Sequence, residues 1–117
     1  MKKFIILIAA SVLAAILMLY SEQKVFYKEG VYEGRGEGHH GEIRIELITD
    51  KYRIKEIRVL EHHEMPQLFE IVNSKIPKKV IRINSPDVEG IAGASYTSEG
   101  LLHAIREAVD KARIDKH

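Results

Sequence analysis

The chain has 117 residues, enough for one domain and not for two. It contains no cysteine, which excludes disulfides, thiolate metal sites, a Cys nucleophile and lipid attachment at an N-terminal Cys. With Lys2 and Lys3 set aside, 16 basic residues stand against 17 acidic ones, a balance that argues against nucleic acid as a partner.

Behind those two lysines, Phe4 to Tyr20 is a run of 17 residues in which Ser11 is the one polar side chain. As a helix it spans about 26 Å, close to the hydrocarbon thickness of a bilayer. The lysines stay on the cytoplasmic side and send the following chain across. A cleaved signal ends in small residues, whereas this run ends Leu17-Met18-Leu19-Tyr20. The sequence therefore favours an uncleaved signal anchor, a transmembrane helix over residues 1–21, above a cleaved and secreted form or a buried helix of a soluble protein. Residues 22–29 read as a polar stalk with a short Val25-Phe26-Tyr27 patch, and residues 30–117 as the working domain outside the cytoplasm.

That domain opens with Gly30-Val31-Tyr32-Glu33-Gly34-Arg35-Gly36-Glu37-Gly38, an extended strand where another backbone or a ligand comes close. No apolar strand precedes these glycines and no helix follows, so a dinucleotide loop does not fit. Ile43, Ile45 and Leu47 alternate with charged residues, and Ile57 and Val59 repeat the pattern, which predicts an antiparallel hairpin. A turn centred on Lys51 pairs Ile43 with Val59 and Ile45 with Ile57. Pro66 starts a helix carrying Leu68, Phe69 and Val72 on one face, and Pro77 ends it or begins a short segment through Ile83. The last helix carries Leu101, Ile105, Ala108 and Ala112 in a stripe flanked by Leu102 and Val109, with Ser98 as its cap and Glu99 in its first turn. The fold class is α+β: a small antiparallel sheet packed with two or three helices, preceded by one N-terminal transmembrane helix.

Chemistry concentrates in Glu89-Gly90-Ile91-Ala92-Gly93-Ala94-Ser95-Tyr96-Thr97-Ser98, a run of small and hydroxylated residues entering a helix. Unpaired amides at a helix start favour anions, so a phosphate site competes with a tight connection and an ordinary cap. In the expected hairpin His40 faces His62 and His39 faces His63. Sequence neighbours point to opposite faces, so at most two imidazoles share a side and no third metal ligand is evident. These histidines are otherwise a pocket wall or solvated surface.

From Gly30 to Ala112 the chain resembles the FMN-binding domain family, which includes the covalently flavinylated subunits C and G of the sodium-pumping NADH:quinone reductase and the Rnf complex. The resemblance is carried by Gly30-Val31-Tyr32-Glu33-Gly34, by Gly38-His39-His40-Gly41-Glu42-Ile43, by Val59-Leu60-Glu61-His62 with Glu64 and Pro66, and by Gly93-Ala94-Ser95-Tyr96-Thr97. Glu89 and Ala92 depart from the family's Asp and Ser/Thr, and Met65 from its usual Thr. The resemblance implies that a flavin transferase moves FMN from FAD onto the final hydroxyl of the motif, by position Thr97, as a phosphoester. Gly93, Ala94, Ser95, Tyr96 and Ser98 would surround the cofactor, with His40 and His62 as its wall and no metal. It further implies a membrane-anchored flavoprotein that passes electrons between partners of the membrane electron-transport chain, a carrier more than a self-sufficient enzyme. A non-redox, anchored module that binds FMN or another phosphate ligand for sensing or partner recognition is the alternative.

Overall fold

Three strands and two long helices follow one another in the computed structural model, which describes residues 6, 8–15 and 25–114. Strands β1 (Gly30–Glu37), β2 (Glu42–Thr49) and β3 (Ile54–Glu61) form one antiparallel sheet in the order β1-β2-β3. Helices α1 (Pro66–Ile83) and α2 (Ser95–Ala112) complete the α+β domain. Residues 8–15 are also helical and exposed. Among the described residues no helix is long and apolar enough to cross a membrane, and most of the expected anchor and the start of the stalk lie outside those residues.

The odd-numbered face of β2 is buried as its alternation requires, with Ile43, Ile45 and Leu47 fully enclosed. The pairing with β3 differs from expectation: Ile45 lies opposite Val59 and Leu47 opposite Ile57. The cause is the turn. Asp50 accepts the amides of Tyr52 and Arg53 at 2.8 and 2.7 Å, and its own amide bonds Arg53 O at 3.0 Å, so the reversal is centred past Lys51. Irregularities between Arg44 and Ile45 and between Ile48 and Thr49 absorb the offset. The outer face carries cross-strand ion pairs, among them Arg44 with Glu61 at 3.4 Å and Arg58 with Glu46 at 3.9 Å.

The glycines of β1 serve a helix. Cβ atoms at Gly34 and Gly36 would run into the carbonyls of Ala104 and Gly100, so α2 lies directly on the strand backbone. Leu101, Leu102, Ile105, Ala108, Val109 and Ala112 are buried there, as their spacing predicts.

Three expectations are corrected. Helix α1 runs unbroken through Pro77, because Phe69, Val72, Ile76, Pro77 and Val80 continue one buried face. That burial outweighs the roughly 3 kcal/mol of a mid-helix proline. The helix ends at Asn84, in the left-handed region at φ 56°, whose side chain accepts the Ile54 amide at 2.8 Å and donates to Tyr52 O at 2.9 Å. Helix α2 begins earlier than expected, at Ser95 after Ala94, with no side-chain cap; Ser98 is inside the helix and fully buried. Residues 26–28 are not stalk. Tyr27 is a core residue, its amide and that of Phe26 bond Lys51 O, and the Lys28 amide bonds Ala112 O at 2.8 Å.

Candidate functional site

The start of α2 is open on one side and sealed on the other. Gly93, at φ 85°, has open space where a side chain would stand, and buried Ala94 leads into the helix. The Ser98 amide is the one that reaches back to the Ala94 carbonyl, at 2.9 Å, and no side chain caps the turn ahead of it. Helical periodicity sorts the hydroxyls. Ser95 and Tyr96 face solvent, Tyr96 being 72% exposed, whereas Thr97 is 1% exposed and Ser98 fully buried. The Ile91 amide donates to Ser98 Oγ at 3.0 Å, folding the preceding loop against the helix.

Thr97 spends its hydroxyl on Glu64, donating to Oε1 at 2.8 Å. Glu64 also accepts the His39 amide on Oε1 and the His40 amide on Oε2, each at 2.7 Å. Burial pushes this carboxyl upward, but the His40 amide, the Thr97 hydroxyl, the His39 amide and the nearby His40 ring together hold it below the usual carboxylate range. In the sequence Glu64 stands out only as one of the residues that carry the family resemblance, with no role attached. Periodicity carries no signal for a buried acid in the loop between β3 and α1.

The histidines do not form cross-strand pairs. His39 and His40 occupy the β1–β2 turn, and His62 and His63 lie beyond β3. His62 stacks on Phe69, ring centroids 3.8 Å apart, and its Nδ1 accepts the Glu64 amide at 3.2 Å. The exposed His39 ring packs edge-on against His40 and lies 5.4 Å from Tyr96. Glu64 thus gathers His40, His62 and Thr97 into one cluster, with Ser95 and Tyr96 on the adjoining surface. Among the described residues no group of three or more His, Cys, Asp or Glu is placed to hold a metal ion. A groove of about 400 Å³ lies between β1 and α2, lined by Arg35, Gly36, Glu37, Glu42, Glu99 and His103. Its three carboxylates make it a poor seat for a phosphate.

An uncapped helix start beside exposed aromatic rings, on a small α+β scaffold, is a site for a ligand that joins an anion to a planar ring. The chain belongs to the FMN-binding domain family, which it matches over residues 38–110. Two relatives align over most of it. One, an uncharacterized protein of Treponema pallidum (strain Nichols), is 24% identical over 72% of this chain and 23% of its own length. The other, the NADH:acrylate oxidoreductase of Vibrio harveyi, is 24% identical over 74% of this chain and 9% of its own length. The chain therefore corresponds to a minor part of either relative. The residues at the start of α2 fit FMN: free amides suit the phosphate, Gly93 leaves room, and Tyr96 and His39 offer ring faces.

Proposed function

We propose that this chain is a flavin-carrying electron-transfer domain, held at the outer face of the membrane by its N-terminal apolar run. FMN supplies the one- and two-electron chemistry when bound; the chain's residues position it and exclude other reactions. The electron-carrying reading is supported by the family and by the alignment with a small part of an NADH:acrylate oxidoreductase. Reversible bleaching of the bound flavin by a reductant separates it from a non-redox binding module, in which the flavin is not cycled.

In this reading the FMN is covalent, and the hydroxyl that carries it is that of Thr97, the final hydroxyl of the motif. The observation behind this choice is the bond from Thr97 to Glu64 at 2.8 Å, which holds the final hydroxyl of the motif beside the uncapped start of α2. A transferase must bring FAD to the hydroxyl. The Thr97 oxygen then bonds to the flavin-side phosphorus, the bond to the adenylate oxygen breaks, AMP leaves, and the hydroxyl proton passes to a base of the transferase. Helix amides at the same spot stabilise the phosphodiester charge. Intact mass and in-gel fluorescence after co-expression with a flavin transferase test the assignment. Thr97→Val is expected to lose the adduct and Ser95→Ala to keep it; the reverse pattern moves the attachment to Ser95.

A further inference from the structure

Large apolar side chains gather, exposed, at the end of the domain opposite the β1–β2 turn. The Phe26 amide bonds Lys51 O at 2.9 Å, and the Ile114 amide bonds Phe26 O at 3.2 Å. Tyr52 follows Lys51 in the β2–β3 turn, and its carbonyl accepts the Asn84 side chain at 2.9 Å, which brings Ile83 alongside. Val25, Phe26, Tyr52, Ile83 and Ile114 are all exposed, although Tyr27 among them is buried. Surface apolar residues are normally scattered singly; a set brought together, with two aromatic rings in it, marks a contact face.

Cations surround this face. Lys28, Lys51, Arg53 and Arg82 are exposed there, and among the described residues they form no ion pair. Asp50 accepts the Tyr52 and Arg53 amides and pairs with Lys55 at 3.7 Å, and Asp110 pairs with Arg113 at 3.9 Å, which leaves Glu29 beside the four cations. In the sequence, Ser21 to Lys24 join the apolar run to Val25, so that run ends at most about 18 Å of extended chain from this face. We propose that this end of the domain is a foot that rests on the lipid surface: its aromatic and aliphatic side chains enter the headgroup region of a bilayer, and its lysines and arginines meet anionic headgroups. The proposal rests on the reading of residues 1–21 as a membrane anchor.

Rings with apolar bodies and long cationic side chains are the residues that suit the boundary between lipid and water. Each Lys or Arg near an anionic surface adds attraction, and the short tether keeps the foot at a high effective concentration beside the bilayer. The foot also sets where the cofactor end stands. Strand β2 runs from the β1–β2 turn to the foot, and α2 runs from the turn holding Thr97 to Ala112, whose carbonyl accepts the Lys28 amide. Either element is about 26 Å long. With the foot on the lipid, Thr97 and Glu64 stand about that far above it, turned toward a partner outside the bilayer and away from a lipid-soluble carrier within it.

The chain has no cysteine, so a single introduced one carries a spin label alone. Full-length Tyr52→Cys, Ile83→Cys and Glu99→Cys chains, each labelled, are reconstituted into phosphatidylcholine vesicles with and without phosphatidylglycerol. Collision with oxygen, which concentrates in lipid, is compared with collision with an aqueous nickel chelate. On anionic vesicles the labels at positions 52 and 83 are expected to be shielded from nickel and open to oxygen, with the label at position 99 in water. Adding Lys28→Glu together with Lys51→Glu is expected to abolish the shielding. Labels at 52 and 83 as open to nickel as the label at 99, in a chain that resists carbonate extraction, overturn the foot and leave this face to a protein partner or a second copy. A chain that carbonate strips from the vesicles overturns the anchor instead, a failure distinguishable from the first.

Discussion

Glu64 shows how much one side chain decides. Its carboxyl is held below the ordinary value of 4.5, burial opposing and the His40, Thr97 and His39 bonds together prevailing. A group depressed in the folded state adds stability that is fully present above its unfolded pKa and is lost as the pH falls through its folded value. The stability from Glu64 is therefore complete above about pH 5 and disappears on the acid side. The comparison is made against a variant, so that only the Glu64 contribution differs. Glu64→Gln is expected to melt lower than wild type at pH 7, and the gap is expected to close as the pH drops toward 3. A gap that stays constant in thermal melts across that range removes the charge from the explanation. Asp50 shifts in the same direction, through the Tyr52 and Arg53 amides, but it acts on the β2–β3 turn alone.

At the scale of elements, the closest packing in the domain is strand β1 against helix α2. Here a methyl group meets backbone rather than a movable side chain: the Ala104 carbonyl at Gly34, the Gly100 carbonyl at Gly36. Gly36→Ala must push the helix off the strand and is expected to destabilise by about 3 kcal/mol or to prevent folding. Gly93→Ala meets no neighbour, and its penalty comes from the positive φ alone, about 1 kcal/mol. Urea denaturation of the two variants gives the comparison directly, and equal losses would contradict it. The glycine spacing in the sequence pointed to a close approach; that a helix backbone is what approaches follows from the fold.

Across the whole molecule, the domain is closed by its two ends. Tyr27 fills the core, Lys28 bonds Ala112 O, and the Ile114 amide bonds Phe26 O at 3.2 Å. A chain beginning at Lys24 is expected to fold with the stability of the full domain. One beginning at Gly30 loses a buried aromatic and is expected to be about 3 kcal/mol weaker, read as a lower urea midpoint. The proposed membrane topology is tested on the intact protein. Protease added to spheroplasts is expected to digest the domain, and without protease the protein is expected to stay with the membrane fraction. A soluble, N-terminally trimmed product would replace the anchor with a cleaved signal.

The alternations of β2 and the stripe of α2 were legible in the sequence because they are local: periods of 2 and 3.6 state which face is buried whatever lies against it. They were enough for the α+β class, the antiparallel hairpin and the loop that enters α2, and the quoted motifs pointed to the family. The strand register, the unbroken α1 and the unequal burial of Ser95 and Thr97 were not legible, since each depends on residues distant in the chain. Asp50 and its turn moved the register, the buried face around Pro77 carried the helix through, and Glu64, 33 residues before Thr97, accepted that hydroxyl's hydrogen bond. Short-range pattern determined what could be buried; only the tertiary structure decided which polar groups found partners inside and which stayed on the surface.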